Sequence, residues 1–241
     1  MTKQDRAVRT RLALIRSAAE HFEARGYVRA SLAEISAGAG VSSGALHFHF
    51  ANKAAVAEAV EHAAARALRR AAVLGHGGDG CALQRLVDVT HHVGRLLRAD
   101  VVVRAGLRLN AEAVAGRVRD LRREWRECVH ELLAEADRSG ELAAGVPPHR
   151  TIAVVLAATT GIEVLARDDH GWLGRHALTD LWQLLLPCMA APHVAGALDP
   201  AGSGPHLVEL DADVERDVEA GPDVDADAPQ GDRSRAGLAL R

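Results

Sequence analysis

The stretch of sequence that decides the fold runs from residue 31 to residue 50 and reads SLAEISAGAGVSSGALHFHF. Ser31 stands three residues before Glu34, and this capping-box spacing predicts the start of a short helix. Gly40 follows as a turn residue, and Ser42 caps a second helix of about seven residues. Two short helices joined by a tight turn predict a helix-turn-helix, whose second helix fits the major groove of DNA.

Candidate DNA contacts follow from the small and polar residues of this motif. Gly44 leaves room between the second helix and DNA, and the amide groups at helix N-termini suit a phosphate group. A histidine ring can donate a hydrogen bond to a phosphate of the DNA backbone, and Lys53 places a cation at the start of the next helix. The predicted DNA-binding residues are Ser31, Ser42, Ser43, Gly44, His47, His49 and Lys53.

The charge of the chain is unevenly distributed. Residues 195–241 hold eleven acidic and four basic side chains, so the first 194 residues carry a net charge of +4 although the whole chain carries −3. Residues 1–30 contain seven basic residues against three acidic ones. This basic end favours a polyanionic partner such as double-stranded DNA, although an ordinary solvated helix face has the same composition.

Composition and hydropathy exclude several protein classes. The chain has 241 residues, of which 48% are hydrophobic and 25% charged, as in soluble globular proteins of one or two domains. No 18 uncharged apolar residues run together, and the N-terminus shows no apolar signal segment. We therefore expect a cytoplasmic protein that does not enter a membrane.

The periodicity of the chain predicts an all-α fold. Almost nothing in the first 190 residues alternates with a period of two, and aromatic residues make up only 3%. The run GHGGDG at residues 75–80 interrupts the helical pattern and marks a domain boundary. The predicted organisation is a helix-turn-helix domain at 1–52 with its motif at 31–50, a connector helix at 53–74, a second helical domain at 81–190, and an acidic, disordered tail at 195–241.

The second domain is predicted to contain helices at about 82–98, 101–111, 116–138, 148–166 and 173–190. The segments 151–166 and 178–189 are apolar on more than one face, which exceeds what one internal contact needs. They form either an intersubunit surface of a homodimer or the centre of a monomer's core.

Patterns typical of metal sites and catalysis are missing from the sequence. His47 and His49 diverge on a helix, as do the adjacent His91 and His92, and no HExxH, GxSxG, Walker, GxGxxG or CxxC motif occurs. The three cysteines are odd in number and far apart, which predicts buried thiols in a reducing compartment. We therefore expect no enzyme activity, no metal and no cofactor.

The motif and the helix before it resemble the TetR family of dimeric transcriptional regulators. The resemblance rests on Ser31-Leu32, Glu34-Ile35, Ala39-Gly40-Val41-Ser42, Gly44-Ala45-Leu46, Phe48-His49-Phe50 and Asn52-Lys53, and on the preceding Ala18-Ala19, Phe22 and Gly26-Tyr27. It implies that the second helix of the motif reads the major groove. It also implies that the C-terminal helices form a ligand pocket and a dimer interface.

Two further segments, VRAGLRL at 103–109 and EWRE at 124–127, resemble γ-butyrolactone receptors and their pseudo-receptor relatives, which control antibiotic biosynthesis. The resemblance covers about residues 6–190. It implies a repressor of antibiotic-pathway genes that a small apolar ligand, a γ-butyrolactone or an antibiotic or intermediate, releases from a palindromic operator. In these relatives a tryptophan matching Trp125 lies at the ligand pocket. We expect a mostly apolar pocket drawn from Trp125, Val87, Thr90, Cys128 and Gly161.

The reading helix departs from the receptor pattern at two positions. Ser43 stands where these receptors commonly have lysine, and His47 where they commonly have tyrosine. Serine can contact almost any base edge, so no base preference can be carried over. An alternative function is therefore a small-molecule-binding or sequestering protein whose helix-turn-helix no longer reads a specific operator.

Overall fold

A computed structural model describes residues 3–76, 80–112 and 120–203 of the chain. Its α-helices, in chain order, are α1 Lys3–Arg29, α2 Leu32–Gly38, α3 Ser43–His49, α4 Lys53–His76, α5 Ala82–Ala99, α6 Val101–Glu112, α7 Leu121–Arg138, α8 Pro148–Leu165, α9 Arg175–Met189 and α10 Pro192–Ala195. The short 3-10 helix His170–Leu173 precedes α9. The described residues contain no β-strand beyond one isolated bridge between Leu142 and Ala190, and the all-α prediction is confirmed.

The first four helices form a compact N-terminal unit. Gly26 interrupts α1 with a φ of 77°. Beyond the interruption, α2 and α3 cross the face of α1 and close a small core against the start of α4. Fully or nearly fully buried side chains of this core are Leu14, Ile15, Phe22, Ile35, Leu46, Phe50, Val56 and Val60.

Helix α6 is shared between the N-terminal unit and the rest of the chain. Its buried residues Ala105 and Leu109 belong to the same core as α1–α4. The side chains of Arg104 and Glu23 form an ion pair between α6 and α1, and Arg108 Nη1 donates to the Glu23 carbonyl at 3.1 Å. The N-terminal unit is thus fixed to the second helical region by α6 as well as by α4.

The second core lies among α5, α7, α8 and α9. Trp182 of α9 is fully buried, and its indole Nε1 donates to Thr90 Oγ1 of α5 at 2.7 Å. Helix α8 differs from its neighbours because Val155 is its only fully buried residue, although most of the helix is apolar. Packing within a single chain therefore leaves part of the apolar surface predicted for 151–166 uncovered.

Hydrogen bonds join α5 to the chain after α10. Both ends of the Gln84 side-chain amide bond the backbone of Asp199, and the carboxylate of Asp88 accepts from Ser203 N and Ser203 Oγ at 2.7 Å each. His91 Nε2 lies 2.9 Å from the Pro200 carbonyl. Polar groups of α5 thus bond to residues 199, 200 and 203, at the start of the segment for which disorder is predicted. Residues 204–241 of the predicted tail lie outside the described residues.

The predicted helix boundaries agree with the described helices to within a few residues. Helix α4 begins at Lys53 as predicted and continues to His76, two residues past its predicted end. Residues 77–79 of the predicted boundary and residues 116–119 of the predicted third helix lie outside the described residues. Among the described helices, no segment has the length and apolarity needed to span a bilayer. The predicted division into domains stays a prediction.

Candidate DNA-reading helix and ligand cavity

The two short helices of the motif are fixed by local hydrogen bonds. Ser31 and Glu34 form the predicted capping box, with Glu34 N donating to Ser31 Oγ at 3.2 Å and Ser31 N donating to Glu34 Oε2 at 3.2 Å. Ser42 Oγ accepts from Ala45 N at 3.1 Å and caps α3. Between them Gly40 has a φ of 67°, a left-handed conformation that favours glycine.

Contacts with α1 hold the motif at a defined angle. Ser17 Oγ donates to the Ile35 carbonyl at 2.9 Å. A Cβ atom on Gly38 would lie only 2.5 Å from Ser17 Oγ, so the end of α2 approaches α1 closely. Leu46 and Phe50 anchor α3 in the core with 0% and 4% exposure. The opposite face of α3 is therefore presented to solvent on a rigid support.

That outer face contains most of the predicted DNA contacts. Ser42, Ser43, Gly44 and His47 are all exposed, while His49 is half-buried. Burial, aided by the charge of Arg11, holds the pKa of the His49 ring below its ordinary value of 6.5. His49 is thus mainly neutral at physiological pH, and its ring can donate a hydrogen bond from one nitrogen only.

A cavity of about 140 Å³ lies in the second helical region. Three of the five residues predicted for the pocket, Thr90, Trp125 and Cys128, line it. The Trp125 indole Nε1 donates to Thr159 Oγ1 at 3.0 Å, and Thr159 Oγ1 in turn donates to the Val155 carbonyl at 2.8 Å. Apolar residues that complete the wall are Leu68, Ala72, Val93, Leu97, Leu107, Leu121, Ile162, Leu173 and Leu178.

Two ion pairs stand among the lining residues of this cavity. Arg69 Nε of α4 donates to Glu124 Oε2 of α7 at 3.1 Å, and Arg122 lies 3.9 Å from Glu163 of α8. Within the cavity, burial and the nearby Glu131 raise the pKa of the Cys128 thiol to about 11. That thiol is therefore neutral at physiological pH, so the lining combines an uncharged interior with a balanced set of charges.

Comparison with known proteins identifies the family. The model of the bacterial regulatory proteins of the tetR family matches residues 14–60. The A-factor receptor protein of Streptomyces griseus is 32% identical over 203 residues, which cover 84% of this chain and 71% of the receptor. The chain belongs to the TetR family of bacterial regulatory proteins.

Solved structures place this TetR-family regulator among receptor-like members. A γ-butyrolactone receptor (ArpA-like protein) matches with a TM-score of 0.70 at 30% identity, over 88% of this chain and 99% of that one. CprB from Streptomyces coelicolor, solved in complex with its biological operator sequence, matches with a TM-score of 0.67 at 30% identity, over 88% and 99% of the two chains. TylP from Streptomyces fradiae matches with a TM-score of 0.62 at 28% identity, over 89% and 94%. The regulator is thus related to the γ-butyrolactone receptors.

Two predicted DNA contacts of this regulator are engaged within the protein. Lys53 Nζ donates to the carbonyls of Tyr27, Val28 and Ala30 at 2.9, 3.2 and 3.0 Å, where it caps the end of α1. Ser31 Oγ donates to Glu34 Oε2 at 2.8 Å. A phosphate contact would have to replace these bonds, and the role of both residues in DNA binding stays a prediction.

Two predicted pocket residues lie outside the cavity wall. Val87 is fully buried in the core beyond the end of the cavity, one helical turn before Thr90. The residues of α8 that line the cavity are Thr159, Thr160, Ile162 and Glu163. Gly161 does not line it, and a Cβ atom added to Gly161 would have no atom within 4 Å. Both residues lie on helices that line the cavity, but which positions face it depends on packing between helices, so their role in ligand binding stays a prediction.

The structure also adds residues that the sequence reasoning missed. Phe48 is 83% exposed on α3, four residues after Gly44 and hence on the same helix face, so helical spacing could have identified it. Its ring meets the His49 ring edge-on at 5.2 Å between centroids. Arg69, Arg122 and Glu163 had no sequence signal as lining residues, because they come from three different helices.

Proposed function

We propose that this TetR-family regulator is a ligand-responsive homodimeric repressor that binds a palindromic operator and controls antibiotic biosynthesis genes. A small, uncharged and mainly apolar molecule, either a γ-butyrolactone or an antibiotic or intermediate, binds the cavity and releases the DNA. The observation that carries the proposal is that one chain combines a solvent-exposed α3 face with a mainly apolar cavity. Helix α4 runs between them.

The exposed face of α3 supports DNA reading. Ser43 and His47 offer hydrogen-bonding groups for base edges or phosphates, and Gly44 allows close approach. Phe48 adds an apolar group that suits contact with a thymine methyl. A related protein, CprB, is solved with its operator, which supports the same use of α3 here.

The surfaces of α8 and α9 support a homodimer. Val154, Val164 and Leu165 of α8 are 42–48% exposed, and Leu184 of α9 is 73% exposed. Large apolar side chains exposed on two helices that contact each other are typical of subunit interfaces. A twofold dimer places two copies of α3 in half-sites about 34–36 Å apart, which is why we infer a palindromic operator.

The cavity lining supports an uncharged ligand. Most of its wall is apolar, and the indole and hydroxyl groups of Trp125 and Thr159 are already hydrogen-bonded to the protein. Arg69 pairs with Glu124, while Glu163 pairs with Arg167 at 2.7 Å and lies 3.9 Å from Arg122, so an anionic ligand at Arg69 would have to disrupt an ion pair. A ligand with an apolar body and an uncharged polar end fits this lining at the lowest desolvation cost.

The energy needed for release is modest. A coupling free energy of about 1–3 kcal/mol between ligand and DNA weakens operator binding about 5- to 150-fold. Burial of about 200 Å² of apolar ligand surface contributes roughly 5 kcal/mol before binding costs. A ligand can therefore release the operator if it binds more tightly to a dimer conformation in which the spacing of the two reading helices does not match the half-sites.

Selection of bound duplexes from a random pool tests this function, followed by release assays with γ-butyrolactones and pathway antibiotics. We expect a palindromic consensus that the Phe48→Ala variant binds at least fivefold more weakly than the wild type. Val73→Ala, a change at a 69% exposed position on α4, is the matched control and should bind as wild type. Ligand binding without any DNA preference would instead support the sequestering alternative that Ser43 suggests.

A further inference from the structure

The carboxamide of Asn110 connects three helices in the interior of the regulator. Asn110 lies on α6 and is only 5% exposed. Its Oδ1 accepts a hydrogen bond from the backbone N–H of Leu121, the first residue of α7, at 3.1 Å. Since the first amide groups of a helix have no partner within that helix, this contact fixes the position of the α7 N-terminus.

The other end of the same carboxamide reaches the connector helix. Asn110 hydrogen-bonds to the side chain of Glu61 on α4, and because this bond favours the charged carboxylate, the Asn110 Nδ2 group is the donor. Glu61 is 6% exposed. A buried polar bridge therefore runs from α4 through α6 to α7, and in so dry a setting each of its bonds is costly to break.

The α7 end of this bridge is part of the cavity wall. Leu121 lines the cavity, and so do Trp125 and Cys128, which follow on the same helix at spacings of four and seven residues. The helix face that Asn110 anchors is thus the face that a ligand must contact. Any shift of the first turn of α7 changes the distance between Leu121 N and Asn110.

The contact between α6 and α4 is too close to absorb such a shift. A Cβ atom on Gly106 would lie 2.3 Å from the Cβ of Ala64 and 3.2 Å from the Val60 carbonyl oxygen. The two helices therefore meet at backbone distance, one turn away from the Asn110 and Glu61 pair. A displacement of α6 would therefore move α4, which follows the reading helix α3 after three residues.

We propose that Asn110 is the positioning residue that passes occupancy of the cavity to the connector helix. This inference rests on the proposed function, because it assigns a route to the ligand response. Asn110 touches neither DNA nor the cavity. Its two hydrogen bonds make the first turn of α7 and the middle of α4 move together.

Exchange of the two polar groups provides the sharpest test. Asn110→Asp keeps an acceptor for Leu121 N but sets a second carboxylate against Glu61. Asn110→Asp combined with Glu61→Gln places an amide donor on α4 opposite a carboxylate on α6, so the bridge is restored with its groups reversed. Asn110→Leu removes both bonds, and Glu127→Gln, a change on α7 at an exposed carboxyl paired with Arg123, is the control.

Two readouts are taken with a synthetic 2-acyl-γ-butyrolactone as the probe. The first is the ratio of operator Kd with and without saturating probe. The second is the probe-induced change in hydrogen exchange of residues 53–62, measured without DNA. We expect Asn110→Asp and Asn110→Leu to reduce the Kd ratio at least fivefold and to abolish the exchange change, while the double variant and Glu127→Gln keep both.

Thermal unfolding separates coupling from simple loss of structure. Variants that unfold cooperatively and still bind the probe, yet respond to it as wild type, would overturn the inference and leave the proposed function intact. Wild-type protein that binds the probe but no operator would contradict the proposed function. In that case the exchange measurement still decides the role of Asn110, since it uses no DNA.

Discussion

The carboxyl group of Glu61 shows how one buried residue ties stability to pH. Burial raises its pKa above the ordinary value of 4.5, and this outweighs the opposing hydrogen bond from Asn110, while the charge of Glu58 adds to the rise. A raised pKa means that folding disfavours the carboxylate form. The contribution of Glu61 to stability is therefore fully present below about pH 4.5 and is lost as the pH rises through the raised pKa.

Glu61→Gln should remove this loss, because glutamine cannot ionise and can still accept a hydrogen bond from Asn110. We expect the variant to gain thermal stability over the wild type at pH 8 and to show little gain at pH 4.5. Thermal unfolding at a series of pH values measures the difference. Glu127→Gln, at an exposed carboxyl paired with Arg123, is the control. A gain that is the same at both pH values would contradict this account.

At the scale of helices, the contact between α4 and α6 depends on the absence of a side chain at residue 106. The added methyl group of Gly106→Ala would overlap Ala64 and crowd the Val60 carbonyl, which is backbone and cannot rotate away. We expect a loss of about 1–3 kcal/mol in the free energy of unfolding, as for other overpacked sites. Denaturant unfolding measures this loss.

The same substitution on another helix gives the control for helix propensity. Gly161 lies within α8, and a Cβ there meets nothing within 4 Å. Gly161→Ala should therefore stabilise the protein by up to about 1 kcal/mol, since alanine is the better helix former. Equal effects of the two substitutions would show that α4 and α6 have room to separate.

At the scale of the whole molecule, the apolar surface on α8 and α9 predicts the mode of assembly. Leu184 is 73% exposed, so a charge placed there does not disturb the core of one chain. In a dimer the same charge would be buried without a partner, which is strongly unfavourable. Leu184→Glu should therefore yield folded monomers that bind the palindromic operator at least tenfold more weakly.

Light scattering coupled to size-exclusion chromatography measures the assembly. Val73→Glu, at a 69% exposed position on α4, introduces the same charge outside the predicted interface and should remain dimeric. A Leu184→Glu variant that stays dimeric would place the interface elsewhere. Loss of dimerisation with undiminished operator affinity would contradict the twofold arrangement of reading helices.

The sequence by itself determined the helices and the motif, because these depend on neighbouring residues. The spacing of Ser31 and Glu34 and the glycine at position 40 act over three or four residues, and the structure forms the capping box and the left-handed turn that they predict. The side chains that match the TetR family lie in the same short stretch. Fold class, helix order and family could therefore be predicted without coordinates.

Tertiary structure decided where long-range partners meet. The three carbonyls that engage Lys53 lie more than twenty residues before it, Trp125 donates to Thr159 on another helix, and Ser203 donates to Asp88 of α5. No periodicity encodes such pairs, because they depend on how helices cross and on which faces remain covered. For that reason the sequence predicted pocket residues on helices that line the cavity, while only packing set the limits of the cavity and brought Asn110 between the connector helix and the cavity wall.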